Sequence, residues 1–111
     1  MELDVQTAQT GAACTIVLTG EVDVYTSPRL KQAIVDAMDA GCLNVIVDLE
    51  GVGFIDSSGL GVLVSGLRRV RERDGTLRLV CTHDGILKIF RITGLDKVFP
   101  LFSSSEEARE F

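Results

Sequence analysis

The feature that most restricts the fold is a short strand-like run that lies between two helix-like segments. Residues 44–49 are nearly all apolar and rich in valine and isoleucine, which is typical of a strand that helices cover on at least one face. Residues 26–41 carry apolar side chains at helical spacing, and residues 14–20 form an earlier β-branched run. Because a strand, a helix and a second strand in sequence form a right-handed parallel crossover, the sequence predicts parallel strands.

The other segments predict further strands and helices around this crossover. Residues 2–9 alternate loosely, and a turn at Gly11 joins them to the next strand, so the two strands form an antiparallel hairpin. Thr26, Ser27 and Pro28 indicate that the first helix begins with a hydroxyl cap. The remaining predictions are a helix over 57–73, a strand over 76–81, a helix over 84–91 that ends at Gly94, an edge strand over 99–102 and a helix over 103–109. The sequence therefore predicts an α/β fold with a mixed sheet, in one domain over 1–111.

Composition and charge exclude several classes of protein. The 111 residues are 46% hydrophobic and 24% charged, which is the balance of a folded domain rather than of a disordered or collagen-like chain. Sixteen acidic and eleven basic residues give a formal net charge of −5, which disfavours nucleic-acid binding because that affinity comes largely from basic side chains on phosphates. No apolar run approaches the ~20 residues of a membrane helix, and the N-terminus is acidic where a signal peptide is basic. We expect a cytoplasmic protein with no membrane partner.

The cysteines are odd in number and widely spaced. Cys14, Cys42 and Cys81 include no CxxC pair that would indicate a metal or redox motif. Cys14 and Cys81 lie in apolar strand-like runs, where a free thiol behaves as a small buried hydrophobic group. We therefore expect free thiols, as in a reducing cytosol.

Residues 52–63 are the segment best suited to a functional site, because serines and glycines lie there between a buried strand and a helix. Sites in open α/β sheets gather beyond the carboxyl ends of the strands, and the free N–H groups of a helix start attract anions. Gly59 and Gly61 would leave the Ser57 and Ser58 hydroxyls uncovered. Four carboxylates are expected at the same end of the sheet: Glu21, Asp23, Asp48 and Glu50.

A purely structural explanation of this segment is also available. Asp56, Ser57 and Ser58 before a helix are typical of an N-cap, and the two glycines could serve helix–sheet packing. The arginines of the second helix, at 68, 69, 71 and 73, wrap around its end and are best explained as a solvated helix terminus.

No enzyme mechanism is complete in this sequence. The residues two before and two after Ser58 are Asp56 and Leu60, whereas a hydrolase elbow needs glycines there. His83 is the one histidine available as a base, and no P-loop motif is present. Asp23, Asp48 and Asp56 could gather around a magnesium ion, but unpaired surface carboxylates are far commoner. A serine that another protein phosphorylates fits better, because a phosphate adds about −1.5 to −2 charge and changes which partner can dock.

Three motifs, in order along essentially the whole chain, resemble those of the anti-sigma factor antagonists, the bacterial STAS domains. Residues 54–61, Phe-Ile-Asp-Ser-Ser-Gly-Leu-Gly, are similar to the phosphorylation motif of that family. Residues 20–28 resemble its G-E-[IVL]-D signature, and residues 87–99 resemble its C-terminal pattern. The amino-acid sequences of residues 24–26 and 91–95 are most similar to those of actinobacterial developmental and stress-response members.

The resemblance implies a fold and a function. The fold would be the STAS fold, a mixed four- to five-stranded sheet with about four helices packed largely on one side. Members of the family are not enzymes and need no cofactor or metal. They bind a GHKL-type serine kinase that doubles as an anti-sigma factor, and they thereby free a sigma factor. The kinase phosphorylates the antagonist with ATP, which releases it, and a PP2C-type phosphatase restores the active form.

The same resemblance assigns the site residues. The phosphoacceptor is expected to be Ser58, directly before Gly59, with Ser57 as the alternative. The residues expected to contact the kinase are Glu21, Asp23, Tyr25, Thr26, Asp56, Ser57, Gly59, Leu60 and Gly61. Two alternatives remain: a scaffold subunit of a larger signalling assembly, and a nucleotide-binding STAS module. A monomer or weak dimer is expected; a multi-subunit size on gel filtration would favour the scaffold, and retained nucleotide would favour the nucleotide-binding module.

Overall fold

The computed structural model describes residues 2–110, and in this part of the chain five strands form one mixed sheet. The strands are β1 (Leu3–Thr10), β2 (Ala13–Val22), β3 (Asn44–Ile55), β4 (Thr76–Val80) and β5 (Leu101–Phe102). Their order across the sheet is their order in the chain. β1 pairs antiparallel with β2, and the other neighbours pair parallel. The predicted hairpin and the predicted parallel crossover are confirmed.

The helices between 2 and 110 cover both faces of this sheet unequally. They are α1 (Ser27–Asp39), α2 (Ser57–Glu72), α3 (Asp84–Thr93) and α4 (Ser105–Arg109), with a 3-10 turn at Leu95–Lys97. The first three pack on one face over the main core, where the Phe90 and Phe99 rings meet edge to face with centroids 6.2 Å apart. On the other face α4 places Ala108 against Ile46 and Val80. The expected STAS-type α/β fold, with helices largely on one side, is confirmed.

β3 is longer than the sequence predicted. The strand continues to Ile55 because its second half pairs along β2, beyond the end of β4. Gly51 lies at an irregularity in this ladder, where a Cβ atom would be only 2.8 Å from the Leu18 carbonyl oxygen. Asp48 pairs in register with Val17, roughly 16 Å along the strand from Val22. The expectation that Asp48 and Glu50 lie with Asp23 at the end of the sheet is therefore wrong.

The C-terminal segment also differs from its prediction. Phe99, expected in an edge strand, is buried in the core, and β5 contains only Leu101–Phe102. α4 begins at Ser105 rather than 103, because the Ser104 hydroxyl accepts the Glu107 N–H at 3.1 Å and caps the helix there. α3 ends as predicted at Gly94, whose positive φ of 76° favours glycine.

The expectation of free thiols is wrong for two of the three cysteines. Cys14 and Cys42 form a disulfide with their Cα atoms 6.3 Å apart. They meet because β2 and β3 pair at their first residues, and Cys42 lies two residues before the start of β3. Cys81 is a free thiol, and burial raises its pKa. None of the helices in the described part of the chain is long and apolar enough to cross a membrane.

Candidate functional site

Two neighbouring strand ends and the segments that follow them form the candidate site. β2 and β3 end in register, with Val22 beside Ile55, and the Asp56 N–H donates to the Val22 carbonyl at 3.1 Å. The chain leaves β2 into the loop before α1, and it leaves β3 directly into α2. The first turn of α2 and the β2–α1 loop therefore lie side by side at this end of the sheet.

The β2–α1 loop is held by buried hydrogen bonds. Asp23 Oδ1 accepts the N–H groups of Tyr25 and Thr26, each at 2.9 Å. Thr26 Oγ1 accepts the Asp23 N–H at 2.9 Å and donates to the Glu21 carbonyl at 2.8 Å. A hydroxyl cap was expected for α1, and that expectation is wrong because Thr26 is the N-cap residue and the loop uses its hydroxyl instead.

These hydrogen bonds also set the charge of Asp23, which is only 4% exposed. Burial raises the pKa of its carboxyl, but the hydrogen bonds from Thr26 and Tyr25 favour the ionised form and hold the pKa below its ordinary value of 3.8. Asp23 Oδ2 and Glu21 Oε2 are buried without a hydrogen-bond partner among residues 2–110. The loop is thus a fixed, negatively charged support rather than a flexible connection.

The Asp56 carboxylate caps the start of α2. Its Oδ1 accepts the N–H groups of Ser58 at 2.9 Å and of Gly59 at 3.2 Å. The N-cap explanation of this segment is therefore confirmed for Asp56. The expectation of free N–H groups for an anion at this helix start is wrong for these two, because the carboxylate already occupies them.

The two serines keep their hydroxyls available. Ser57 is exposed and Ser58 is half-buried, and within residues 2–110 neither hydroxyl takes part in a hydrogen bond. Ser58 lies in the first turn of α2, next to the Asp56 carboxylate that receives its N–H. An unengaged hydroxyl at a fixed position is chemically suited to accept a phosphoryl group from another protein.

The two glycines of the motif have different surroundings. A Cβ atom on Gly59 would lie 2.6 Å from Val22 Cγ1 and 2.7 Å from Ile55 Cγ1, so this glycine allows α2 to approach the strand ends. Gly61 is exposed, and a Cβ atom there would meet nothing within 4 Å. Gly61 therefore leaves the surface beside Ser58 open, whereas buried Gly59 serves packing.

The segments that form this end of the sheet carry exposed apolar side chains. Val24 is 60% exposed and Tyr25 is 85% exposed on the β2–α1 loop, and Leu60 is half-buried on α2. Phe54, beside Glu21 at the end of β3, is 43% exposed. Sequence reasoning missed Val24 and Phe54. The signal that could have found them is their position in apolar pairs beside acidic residues: Val24 follows Asp23, and Phe54 lies two residues before Asp56. Exposed apolar side chains of this size on neighbouring segments are candidates for contact with another protein.

Within residues 2–110, the other functional groups considered from the sequence, which are the possible metal ligands, the α2 arginines and His83, do not come together at this site. Among residues 2–110 no three His, Cys, Asp or Glu side chains are placed to share a metal ion. Asp48 accepts the Ser105 hydroxyl at 3.2 Å on the face covered by α4, away from Asp23 and Asp56. The four arginines of α2 are exposed at its C-terminal end, and His83 is exposed at the start of α3.

The chain is similar to known proteins along nearly its whole length. A family model described as the STAS domain matches residues 4–108. An anti-sigma-B factor antagonist from Staphylococcus aureus is 31% identical over 106 residues, which are 96% of this chain and 98% of the relative.

Solved structures show the same likeness. An anti-sigma factor antagonist from Mycobacterium paratuberculosis superposes with a TM-score of 0.90 at 25% identity, covering 98% of this chain and 92% of that one. The Bacillus cell fate determinant SpoIIAA, in its phosphorylated form, gives a TM-score of 0.74 at 26% identity and covers 96% and 97% of the two chains. With the sheet order, the capped serine motif and these matches together, the chain belongs to the STAS domain family.

Proposed function

We propose that this protein is an anti-sigma factor antagonist: a regulatory binding protein, not an enzyme, built as a single STAS domain over 1–111. It binds a GHKL-type serine kinase that is also an anti-sigma factor, and thereby frees a sigma factor. Both steps take place in the cytoplasm, where the kinase has ATP. The S. aureus relative, named as an anti-sigma-B factor antagonist, supports this proposal. The amino-acid sequences of residues 24–26 and 91–95 support assignment to the actinobacterial members of the family.

The kinase-binding surface comprises the β2–α1 loop and the start of α2. Tyr25 is the most exposed large apolar side chain of this surface, and the buried Asp23 and Thr26 hold its loop in place. Leu60 and Gly61 provide the facing part of the surface on α2. A large apolar side chain on an already ordered loop loses little conformational freedom on binding, which favours affinity.

Phosphorylation at Ser58 switches this binding off. The Ser58 Oγ attacks the γ-phosphorus of ATP, the bond to the bridging oxygen breaks, ADP leaves, and a base of the kinase takes the hydroxyl proton. The new group carries about −1.5 to −2 charge at neutral pH. A PP2C-type phosphatase reverses the change by hydrolysis: a water oxygen bonds to phosphorus, the bond between phosphorus and Ser58 Oγ breaks, and a proton from the water restores the hydroxyl as inorganic phosphate leaves.

The charge acts at the binding surface itself. Because Asp56 already accepts the N–H groups of Ser58 and Gly59, a phosphate on Ser58 meets a carboxylate and must compete with it for those donors. Ionised Asp23 on the adjacent loop adds to the repulsion. A partner seated over Tyr25 and Leu60 thereby loses contact with the surface, while the fold beneath stays unchanged.

The observation that carries the proposal is the unengaged Ser58 hydroxyl beside the exposed Tyr25 loop. The test is intact-mass spectrometry of wild-type, Ser58→Ala and Ser57→Ala protein recovered from the native host. We expect a species heavier by one phosphate in the wild type and in Ser57→Ala, and its loss in Ser58→Ala. Phosphate that persists in Ser58→Ala would assign the acceptor to Ser57 or elsewhere. Phosphate in none of the three, across growth and stress conditions, would contradict the switch.

A further inference from the structure

The outer edge of the sheet presents a regular row of backbone groups. β1 is the edge strand, and no strand within residues 2–110 pairs with its outer side. The Glu21 N–H donates to the Glu2 carbonyl at 2.9 Å, which fixes the alternation of the antiparallel ladder. Even-numbered residues of β1 exchange hydrogen bonds with β2. The N–H and C=O groups of Val5, Thr7 and Gln9 therefore point outward.

This edge lacks the devices by which edge strands avoid pairing. The ladder of β1 with β2 runs without a bulge from Leu3 to Thr10. The strand contains no proline, lysine or arginine, and Asp4 is its one charged residue. Among the outward backbone groups of β1, the Leu3 carbonyl is covered within the described residues, because the Arg29 guanidinium donates to it. A long edge without a bulge, uncharged from Val5 to Thr10, is a template for another strand.

We propose that this edge pairs with β1 of a second copy of the chain, antiparallel, about a two-fold axis at Thr7. Thr7 then faces Thr7 of the second copy, and Val5 faces Gln9 in both directions. These are the outward-pointing residues, so each facing pair exchanges both of its N–H···O bonds. Facing threonines, one from each copy, also favour a cross-strand hydrogen bond between hydroxyls.

The charge pattern of the edge is compatible with a second copy as the occupant. In this register Asp4 of each copy faces the uncharged Thr10 of the other, so no like charges oppose one another. The chain carries a net charge of −5, and two copies repel each other over most surfaces. Between Val5 and Thr10 the edge is free of charged side chains, so two copies can meet there with little repulsion.

The pairing would leave both phosphorylation sites available. Because β1 and its copy run antiparallel, the two Ser58-bearing ends of the sheet point in opposite directions. One dimer would thus present two kinase-binding surfaces that do not overlap. This inference does not depend on the proposed function, since it concerns a different edge of the sheet.

The first test is amide hydrogen exchange by NMR at low and high chain concentration. We expect the amides of Val5, Thr7 and Gln9 to exchange freely when dilute and to gain protection when concentrated, in step with a doubling of mass in sedimentation equilibrium. Gln6 and Ala8 should be protected at both concentrations, because their N–H groups face β2. Free exchange of the odd-numbered amides at every concentration, or a monomer throughout, would overturn the proposal.

Substitutions test the register. Thr7→Pro removes an outward N–H, so it should abolish the dimer while the melting temperature stays near that of the wild type. Ala8→Pro is the matched control. It should lower the melting temperature because it removes a hydrogen bond to β2. Thr7→Lys places like charges face to face and should weaken the dimer, whereas Thr10→Lys faces Asp4 of the second copy and should tighten it. A dimer that survives both Thr7 variants, or one that Thr10→Lys weakens, would overturn this pairing.

Discussion

The Asp56 carboxylate accepts the backbone N–H of Ser58 at 2.9 Å, so the helix cap and the proposed phosphoacceptor share one turn. The same oxygen accepts the Gly59 N–H at 3.2 Å. The cap fixes the backbone that carries the Ser58 hydroxyl, and it also places a carboxylate beside the position that a phosphate would take. If Ser58 is the phosphoacceptor, as proposed, a single side chain couples helix stability to the response to phosphorylation.

Replacing the cap should destabilise the fold by a measurable amount. We expect Asp56→Ala to lower the free energy of unfolding by about 1 kcal/mol, because two backbone N–H groups lose their acceptor. Asp56→Asn keeps an acceptor oxygen and should retain most of that stability. Urea unfolding measures both, and Asp39→Ala, at the exposed end of α1, is the control. Equal stabilities for Asp56→Ala and Asp39→Ala would contradict the assigned role of the cap.

The two glycines of the motif should respond oppositely to the same substitution. Gly59→Ala places a Cβ atom 2.6 Å from Val22 Cγ1, so we expect a loss of about 1–3 kcal/mol in the free energy of unfolding. Gly61→Ala adds a methyl group in open space within a helix and should stabilise the protein by roughly 0.5–1 kcal/mol. Thermal and urea unfolding of the pair compare them directly. A similar effect of both substitutions would argue against the packing described for Gly59.

Acid should weaken the β2–α1 loop through Asp23. The folded-state pKa of this carboxyl lies below its ordinary value of 3.8, so its stabilising contribution is complete above that value and is lost as pH falls through the folded-state pKa. Asp23→Asn keeps an acceptor for Tyr25 and Thr26 but cannot ionise. We expect the wild type to be more stable than Asp23→Asn at neutral pH, with the difference disappearing in acid. Unfolding free energies measured across this range should show it; a difference independent of pH would be inconsistent with an ionised Asp23.

Local sequence signals predicted the elements whose conformation is decided locally. The turn at Gly11 and the two flanking runs predicted the hairpin, and Gly94 predicted the end of α3. The candidate site was partly predictable for the same reason, since Asp56, Ser57 and Ser58 before an apolar helix follow N-cap chemistry.

The features that the sequence did not predict depend on tertiary neighbours. The sequence predicted that this strand ends at residue 49, yet β2 offers residues 50–55 a paired edge, and Gly51 is needed there because the Leu18 carbonyl comes so close. A hydroxyl cap was predicted for α1, but the Thr26 hydroxyl at the N-cap position bonds within the Asp23 loop instead. Neither outcome can be obtained without the fold.

The disulfide between Cys14 and Cys42 should contribute to stability away from the serine site. The two cysteines are 28 residues apart in sequence, and a loop of that length corresponds to about 3–4 kcal/mol in the chain-entropy description. We expect reductant to lower the free energy of unfolding of the wild type by up to that amount. A Cys14→Ala/Cys42→Ala variant should be insensitive to reductant, which makes it the control. Equal sensitivity of the variant would place the effect elsewhere.

Tyr25 should affect binding far more than folding. Its side chain is 85% exposed, so Tyr25→Ala removes little buried area and should leave the free energy of unfolding within about 0.5 kcal/mol of the wild type. At the centre of the proposed kinase surface, the same change should cost about 2 kcal/mol of binding, or roughly thirtyfold in Kd. Ile92 on α3 is 73% exposed, so Ile92→Ala is a control of comparable exposure outside that surface. The measurement is calorimetric titration of the cognate anti-sigma kinase into both variants. A loss of affinity confined to Tyr25→Ala supports the proposed surface. Equal Kd values for the two variants would place the kinase on another part of the protein.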